Sequence, residues 1–137
     1  MAVTEVAPDQ VQRYGIVVPR APGQVTDVAD VVEKPQPQAV ESRLAVAARY
    51  VLGPSVFAAL RDTQPDASGE VQLTDALRHV IREGGRVVAV QLAPGERRED
   101  IGTVEGYCSV FLEHALRHPT LGAALAARAA ALLDDLG

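Results

Sequence analysis

At Pro54 the apolar pattern of this chain changes period, and that switch narrows the architectures open to it. Before it, valine-rich runs are punctuated by proline and glycine, in the manner of strands. After it, apolar residues recur mostly at helical spacing. The pattern predicts a mixed α/β chain, strands first and helices later. Residues 13–19, RYGIVVP, read as a short strand stopped by Pro19, and APGQ after it as a turn. Residues 26–34, TDVADVVEK, read as a strand on the rim of a sheet, broken by KPQPQ, whose prolines remove backbone donors. Residues 43–52, RLAVAARYVL, are the longest strand candidate, apolar enough for burial on both faces.

Pro54 opens a short helix, SVFAALRD, at a position where its missing N–H costs nothing. In LTDALRHVIR the expected N-cap is Thr74, with Asp75 in the first turn, Leu77, Val80 and Ile81 facing inward, and Gly84–Gly85 as the stop. Residues 86–92, RVVAVQL, return to a strand. Thr103 can cap a helix whose Val104, Tyr107, Cys108, Phe111, Leu112 and Ala115 share one face. Pro119 breaks it, and an Ala-rich helix runs from Thr120 through Leu136.

The 137 residues are one domain's worth and can bury a real core. With no Trp and few aromatics, that core rests on Val, Leu and Ala. A net charge of −5 without a Lys/Arg cluster argues against nucleic acid as a partner. No apolar run approaches a membrane span, and the first residues lack the basic start and apolar core of a signal peptide. A single cysteine, Cys108, cannot staple the chain to itself, which fits the cytoplasm.

The chemistry-bearing residues are few. Glu33 and Lys34 stand side by side at a strand end, where alternation points them to opposite faces and denies them each other as partners. A carboxylate can accept from two neighbouring sugar hydroxyls, and an ammonium is a compact charge for phosphate. On spacing alone, however, the pair reads first as a solvated strand end. Asp75 looks like ordinary helix capping, while Glu70 and Gln72 before it are less easily explained so. Asp100, ahead of a helix start, is a lone carboxylate of the kind Mg²⁺ uses beside substrate phosphates. His114 and His118 stand four apart without a third ligand, and Cys108 on its apolar face reads as packing. No Gly-rich phosphate loop precedes any helix.

The segments RYGIV, VVEKP, SRLAVAARYVL, GEVQLTDAL and DIGTVEGY, in this order, resemble the second half of bacterial UTP–glucose-1-phosphate uridylyltransferases, within the sugar-nucleotide pyrophosphorylases. The likeness covers nearly the whole chain. It implies the C-terminal portion of a Rossmann-like nucleotidyltransferase fold: a mixed sheet with flanking helices and C-terminal helices. It implies transfer from UTP to glucose 1-phosphate, giving UDP-glucose and pyrophosphate, with Mg²⁺. By that likeness Gly15 approaches the sugar, Glu33 binds sugar hydroxyls and Lys34 binds the sugar-linked phosphate and serves catalysis. Glu70, Gln72 and Asp75 lie near the pocket, and Asp100 is one of two Mg²⁺ carboxylates.

Against the family pattern, Ser42-Arg43-Leu44-Ala45 replaces Ser-Asn-Leu-Ala, and Ala48-Arg49-Tyr50 replaces Gly-Arg-Tyr. Thr103-Val104 stands where Asn-Lys is usual after Asp-Ile-Gly. The family's nucleotide-binding first half and its other metal carboxylate have no counterpart here. Residues 1–137 are thus expected to be the sugar-phosphate-binding portion of a truncated or split enzyme, inactive alone. The alternative is a non-catalytic sugar-phosphate-binding or assembly module that docks to a full-length relative through exposed strand edges and the last helix. An N-terminal half, a full-length relative or a second copy are the protein partners the resemblance leaves open.

Overall fold

The computed structural model describes residues 1–136. Strands β1 (Ala2–Glu5), β2 (Gly15–Pro19), β3 (Val25–Glu33), β4 (Leu44–Val46) and β5 (Val88–Gln91) share one sheet. Helices α1 (Ser55–Asp62) and α2 (Leu73–Arg82) fall between β4 and β5. Helices α3 (Val104–Leu116) and α4 (Gly122–Leu136) follow, and short 3-10 helices cover Pro8–Arg13 and Pro37–Ala39. The chain divides into two compact units, Met1–Arg97 and the residues from Arg98 on.

In the first unit the sheet closes on itself in the order β1-β4-β2-β3-β5. β1 runs antiparallel to β4 and parallel to β5, so the sheet is mixed, as expected. Closure gives every strand two neighbours, which removes the open edges expected of this chain. It also corrects the placing of β3 on a rim: β3 pairs with β2 on one side and β5 on the other.

The valines explain the core. Val3, Val17, Val28, Val31, Val46 and Ala89 form one buried cluster, and Val11, Ile16 and Ala45 form another. Ile16 and Val17 are neighbours, and the alternation of a strand sends them to the two different clusters. Val28 and Val31 are three apart yet share a cluster. A register shift at Val18/Pro19 pairs Val18 with Asp30 and Pro19 with Val28, leaving one extra residue on β3. That bulge restores the inward direction.

The fourth strand is much shorter than residues 43–52. Ala48 takes φ 52°, a left-handed turn that no strand continues through, and Val51 beyond it is 97% exposed.

Both helices of the first unit fall where the pattern puts them. Val56 and Ala59 are the buried positions of α1, and Ala76 and Leu77 those of α2, with Val80 and Ile81 half-buried. α2 packs on β3 and α1 packs on α2. Gly84, at φ 81°, ends α2 in the left-handed conformation that glycine tolerates. In the second unit Thr103 caps α3 as expected, its hydroxyl accepting from the Gly106 N–H at 3.0 Å. Cys108, expected in the packing, is exposed instead. No helix among the described residues is long and apolar enough to cross a membrane.

Candidate functional site

The end of the β2–β3 ladder gathers three of the residues singled out in the sequence. Gly15 opens β2 and lies directly across from Glu33, the last residue of β3. The ladder adds one further bond, from the Lys34 N–H to the Tyr14 carbonyl at 3.1 Å. Lys34 then takes φ 41°. L-residues avoid that region, and a residue before proline is pushed toward extended backbone instead. The buried Pro35 follows at once, so the turn is held by packing against a local preference.

This turn corrects the expectation that Glu33 and Lys34 could not pair. Strand alternation stops at Glu33, and the left-handed turn brings the Lys34 ammonium to 3.8 Å from Glu33 Oε1. The Lys34 side chain is 59% exposed and that of Glu33 22%. An ion pair open to solvent on one side is weak, worth about 0–1 kcal/mol. The ammonium is therefore free to exchange the carboxylate for another anion.

The second oxygen of Glu33 is engaged from further away. Thr74, in the first turn of α2, donates its hydroxyl to Glu33 Oε2 at 2.8 Å. Thr74 is 6% exposed. The expectation that Thr74 caps α2 is thereby overturned: the N-cap is Gln72, which makes no side-chain cap. The hydroxyl points to the sheet, and α2 begins without that help.

Gly15 fits between these two groups because it has no side chain. A Cβ there would lie 2.6 Å from the Thr74 methyl and 3.1 Å from Glu33 Oε2. Tyr50 also feels this corner. Burial, and after it the Glu33 charge, push its phenol above the ordinary value. Tyr50 lines a groove of about 950 Å³ with Met1, Ala48, Arg49, Leu77 and Arg86. Gly15, Glu33 and Lys34 are not among its lining residues.

The other candidates belong to other elements. Glu70 and Gln72 belong to a loop organised by Asp66, which accepts from the Ser68 N–H at 2.8 Å and hydroxyl at 2.6 Å, and from the Glu70 N–H at 3.2 Å. Gln72 Nε2 donates to Asp66 Oδ2 at 2.8 Å. These donors hold the Asp66 carboxyl well below the usual carboxylate range. Asp75 keeps its place in the first turn of α2, half-buried. Asp100 belongs to the second unit, where it accepts from the Gly102 N–H at 3.1 Å and lies 3.4 Å from an Arg98 nitrogen. His114 faces Glu99 at 3.9 Å, and His118 Nδ1 accepts from Thr120 and Leu121 N–H groups. No group of three or more His, Cys, Asp or Glu side chains among the described residues could hold a metal. The single carboxylate of Asp100 does not make a Mg²⁺ site by itself.

Sequence reading placed the segment of Thr74 near the pocket but missed its contact with Glu33, and it missed Tyr50 as a member of this corner. Both sit inside segments that carried the family likeness, GEVQLTDAL and SRLAVAARYVL, and that was the only available signal.

Residues 1–116 match the nucleotidyl transferase family. The chain is 38% identical over 120 residues to a UTP–glucose-1-phosphate uridylyltransferase of Mycoplasma pneumoniae, an alignment covering 85% of this chain and 40% of that one. A solved UDP-glucose pyrophosphorylase complexed with UDP-glucose superposes with a TM-score of 0.70 at 38% identity, over 79% of this chain and 40% of the other. The UDP-glucose pyrophosphorylase of Acinetobacter baumannii gives 0.75 at 30% identity, over 96% and 45%. The chain thus spans less than half the length of these relatives.

Proposed function

The chain belongs to the nucleotidyl transferase family, and from that premise we propose that its β2–β3 corner is the sugar-phosphate grip of a UTP–glucose-1-phosphate uridylyltransferase. Glu33 accepts from sugar hydroxyls, the Gly15 backbone lies beside the sugar, and Lys34 takes the phosphate. The observation that carries this reading is the turn at Lys34: a strained, pre-proline backbone holds an exposed ammonium 3.8 Å from an acceptor it can leave. The names of the relatives, UTP–glucose-1-phosphate uridylyltransferase and UDP-glucose pyrophosphorylase, agree in the sugar nucleotide concerned.

In the reaction, a phosphate oxygen of glucose 1-phosphate attacks the α-phosphorus of UTP in line and pyrophosphate leaves. Little covalent help is needed from the protein, and positioning with charge neutralisation does most of it. Glu33 fixes the sugar, and Lys34 lowers the repulsion between two anions as they approach. Mg²⁺ bound with the substrates would neutralise further phosphate charge. No step is assigned to the metal. The chain by itself binds glucose 1-phosphate without turning it over. Glu70, Gln72 and Asp75 have no contact assigned in this grip.

A second reading is favoured by one observation, the closed sheet. A sheet with no open edge suits a self-standing module that binds a sugar phosphate without catalysis. Calorimetry with glucose 1-phosphate, beside a pyrophosphate-release assay with UTP, tests both. Binding that Lys34→Ala abolishes, without pyrophosphate release, is the expected result. Binding unchanged in Lys34→Ala would refute the grip, and pyrophosphate release by the purified chain would refute its inactivity.

A further inference from the structure

We infer that Thr74 is a positioning residue: it holds Glu33 in the orientation that receives the sugar, and so helps the corner tell a sugar phosphate from bare phosphate. This rests on the proposed sugar-binding role of Glu33. The two residues lie 41 apart in sequence and meet only because α2 packs on β3. Three observations converge on the contact.

First, the hydroxyl proton is committed across the fold. Thr74 is the second residue of α2, past the N-cap position held by Gln72, and it donates to a carboxylate at the end of β3. Second, the division of the carboxylate is asymmetric. Oε2 receives the Thr74 hydroxyl, while Oε1 faces the exposed Lys34 ammonium. One oxygen is anchored from the protein side, and the other is the one left on the side from which a ligand phosphate would draw Lys34. Third, the space is shaped for the contact. Gly15 stands across from Glu33, and any side chain there would displace the Thr74 methyl or the carboxylate.

The physical consequence is pre-organisation. An unanchored glutamate must be immobilised when its ligand binds, whereas this one is immobilised beforehand. Lys34, on its own backbone turn, needs no such help. Losing the Thr74 hydroxyl should therefore weaken recognition of the sugar and leave recognition of the phosphate alone.

The test compares glucose 1-phosphate with inorganic phosphate as ligands of the full chain, by calorimetry. Thr74→Val keeps the shape and removes the hydroxyl. It should weaken glucose 1-phosphate binding by up to about tenfold, the scale of ordering one such side chain, and leave phosphate binding unchanged. Thr74→Ser should restore the affinity, and Thr74→Ala serves in place of valine if that variant does not fold. Unchanged affinity for glucose 1-phosphate in the hydroxyl-free variant overturns the inference. So does a parallel loss for both ligands, which would mark a structural role, and so does failure of serine to rescue. Glu33→Gln separates this from the reading beneath it. If Glu33→Gln weakens glucose 1-phosphate binding while Thr74→Val does not, only the inference falls. If Glu33→Gln leaves the affinity intact, or the wild-type chain binds no glucose 1-phosphate, the sugar-binding role of Glu33 falls and the inference with it.

Discussion

Glu33 and Asp66 are both well-satisfied carboxylates in the first unit, and they are satisfied in opposite ways. Asp66 takes every donor from within six residues, Ser68, Glu70 and Gln72, and in doing so builds the loop that leads into α2. Glu33 takes its hydrogen bond from Thr74, across the packing of a helix on a sheet. Asp66 has its donors wherever its loop forms. Glu33 has its donor only when the unit is folded, and one of its oxygens is left facing a solvent-exposed cation. A locally closed network shapes a loop, whereas a long-range, half-closed one is suited to receive a ligand.

The largest expected effect breaks the long-range station alone. Gly15→Ala places a methyl 2.6 Å from the Thr74 methyl, and something must move. Such overpacking typically costs about 1–3 kcal/mol. Urea unfolding should show a loss of that size, and glucose 1-phosphate binding should fall with it. A variant as stable as the wild type would mean that the corner is softer than its geometry.

Next in size is Lys34→Gly. Glycine adopts a φ of 41° without strain, so relief of the lysine's backbone should stabilise the chain by up to about 1 kcal/mol. The same change removes the ammonium and should abolish binding of phosphate and of glucose 1-phosphate. Gain in melting temperature with loss of binding would identify the turn as strain kept for function. Loss of both would contradict that.

The smallest effect belongs to Asp66 and appears only in acid. Its folded carboxyl titrates below the ordinary value of an aspartate, so the unfolded chain binds the proton more readily. The stability it adds is full above that value and drains away as pH falls through the folded one. The protection of the Ser68 and Glu70 amides, measured against their intrinsic exchange rate, should fall below about pH 4. Asp66→Asn should lower it at every pH and leave the Glu33 corner untouched.

What could be read in advance divides along the same line. The ends of β2 and β3, the start of α1, the glycine stop of α2 and the Thr103 cap all depend on residues close in sequence, and all were legible. Closure of the sheet was not, because β1 is four residues that pair with partners 39 to 43 and 88 positions away. Nor was the early end of β4, where an alanine takes a conformation its chemistry does not announce. Thr74 was read as a cap because that is the local use of threonine, and its actual partner lies across the fold. Gly15, Glu33 and Lys34 were named as site candidates through the family likeness, and the structure brings them to one corner. The ion pair of Glu33 and Lys34 was not legible, since strand alternation is a rule that the Lys34 turn suspends.

The parallel pairing of β1 with β5 carries a consequence in time. Ala2 lies against Val90, so β1 waits for β5, 88 residues later in the chain, before the ring is complete. Joining strands so far apart is the slow part of forming such a topology. A growing chain therefore holds β1 with only one flank covered until residue 91 has emerged from the ribosome, and in that interval the edge is open to pairing with other chains.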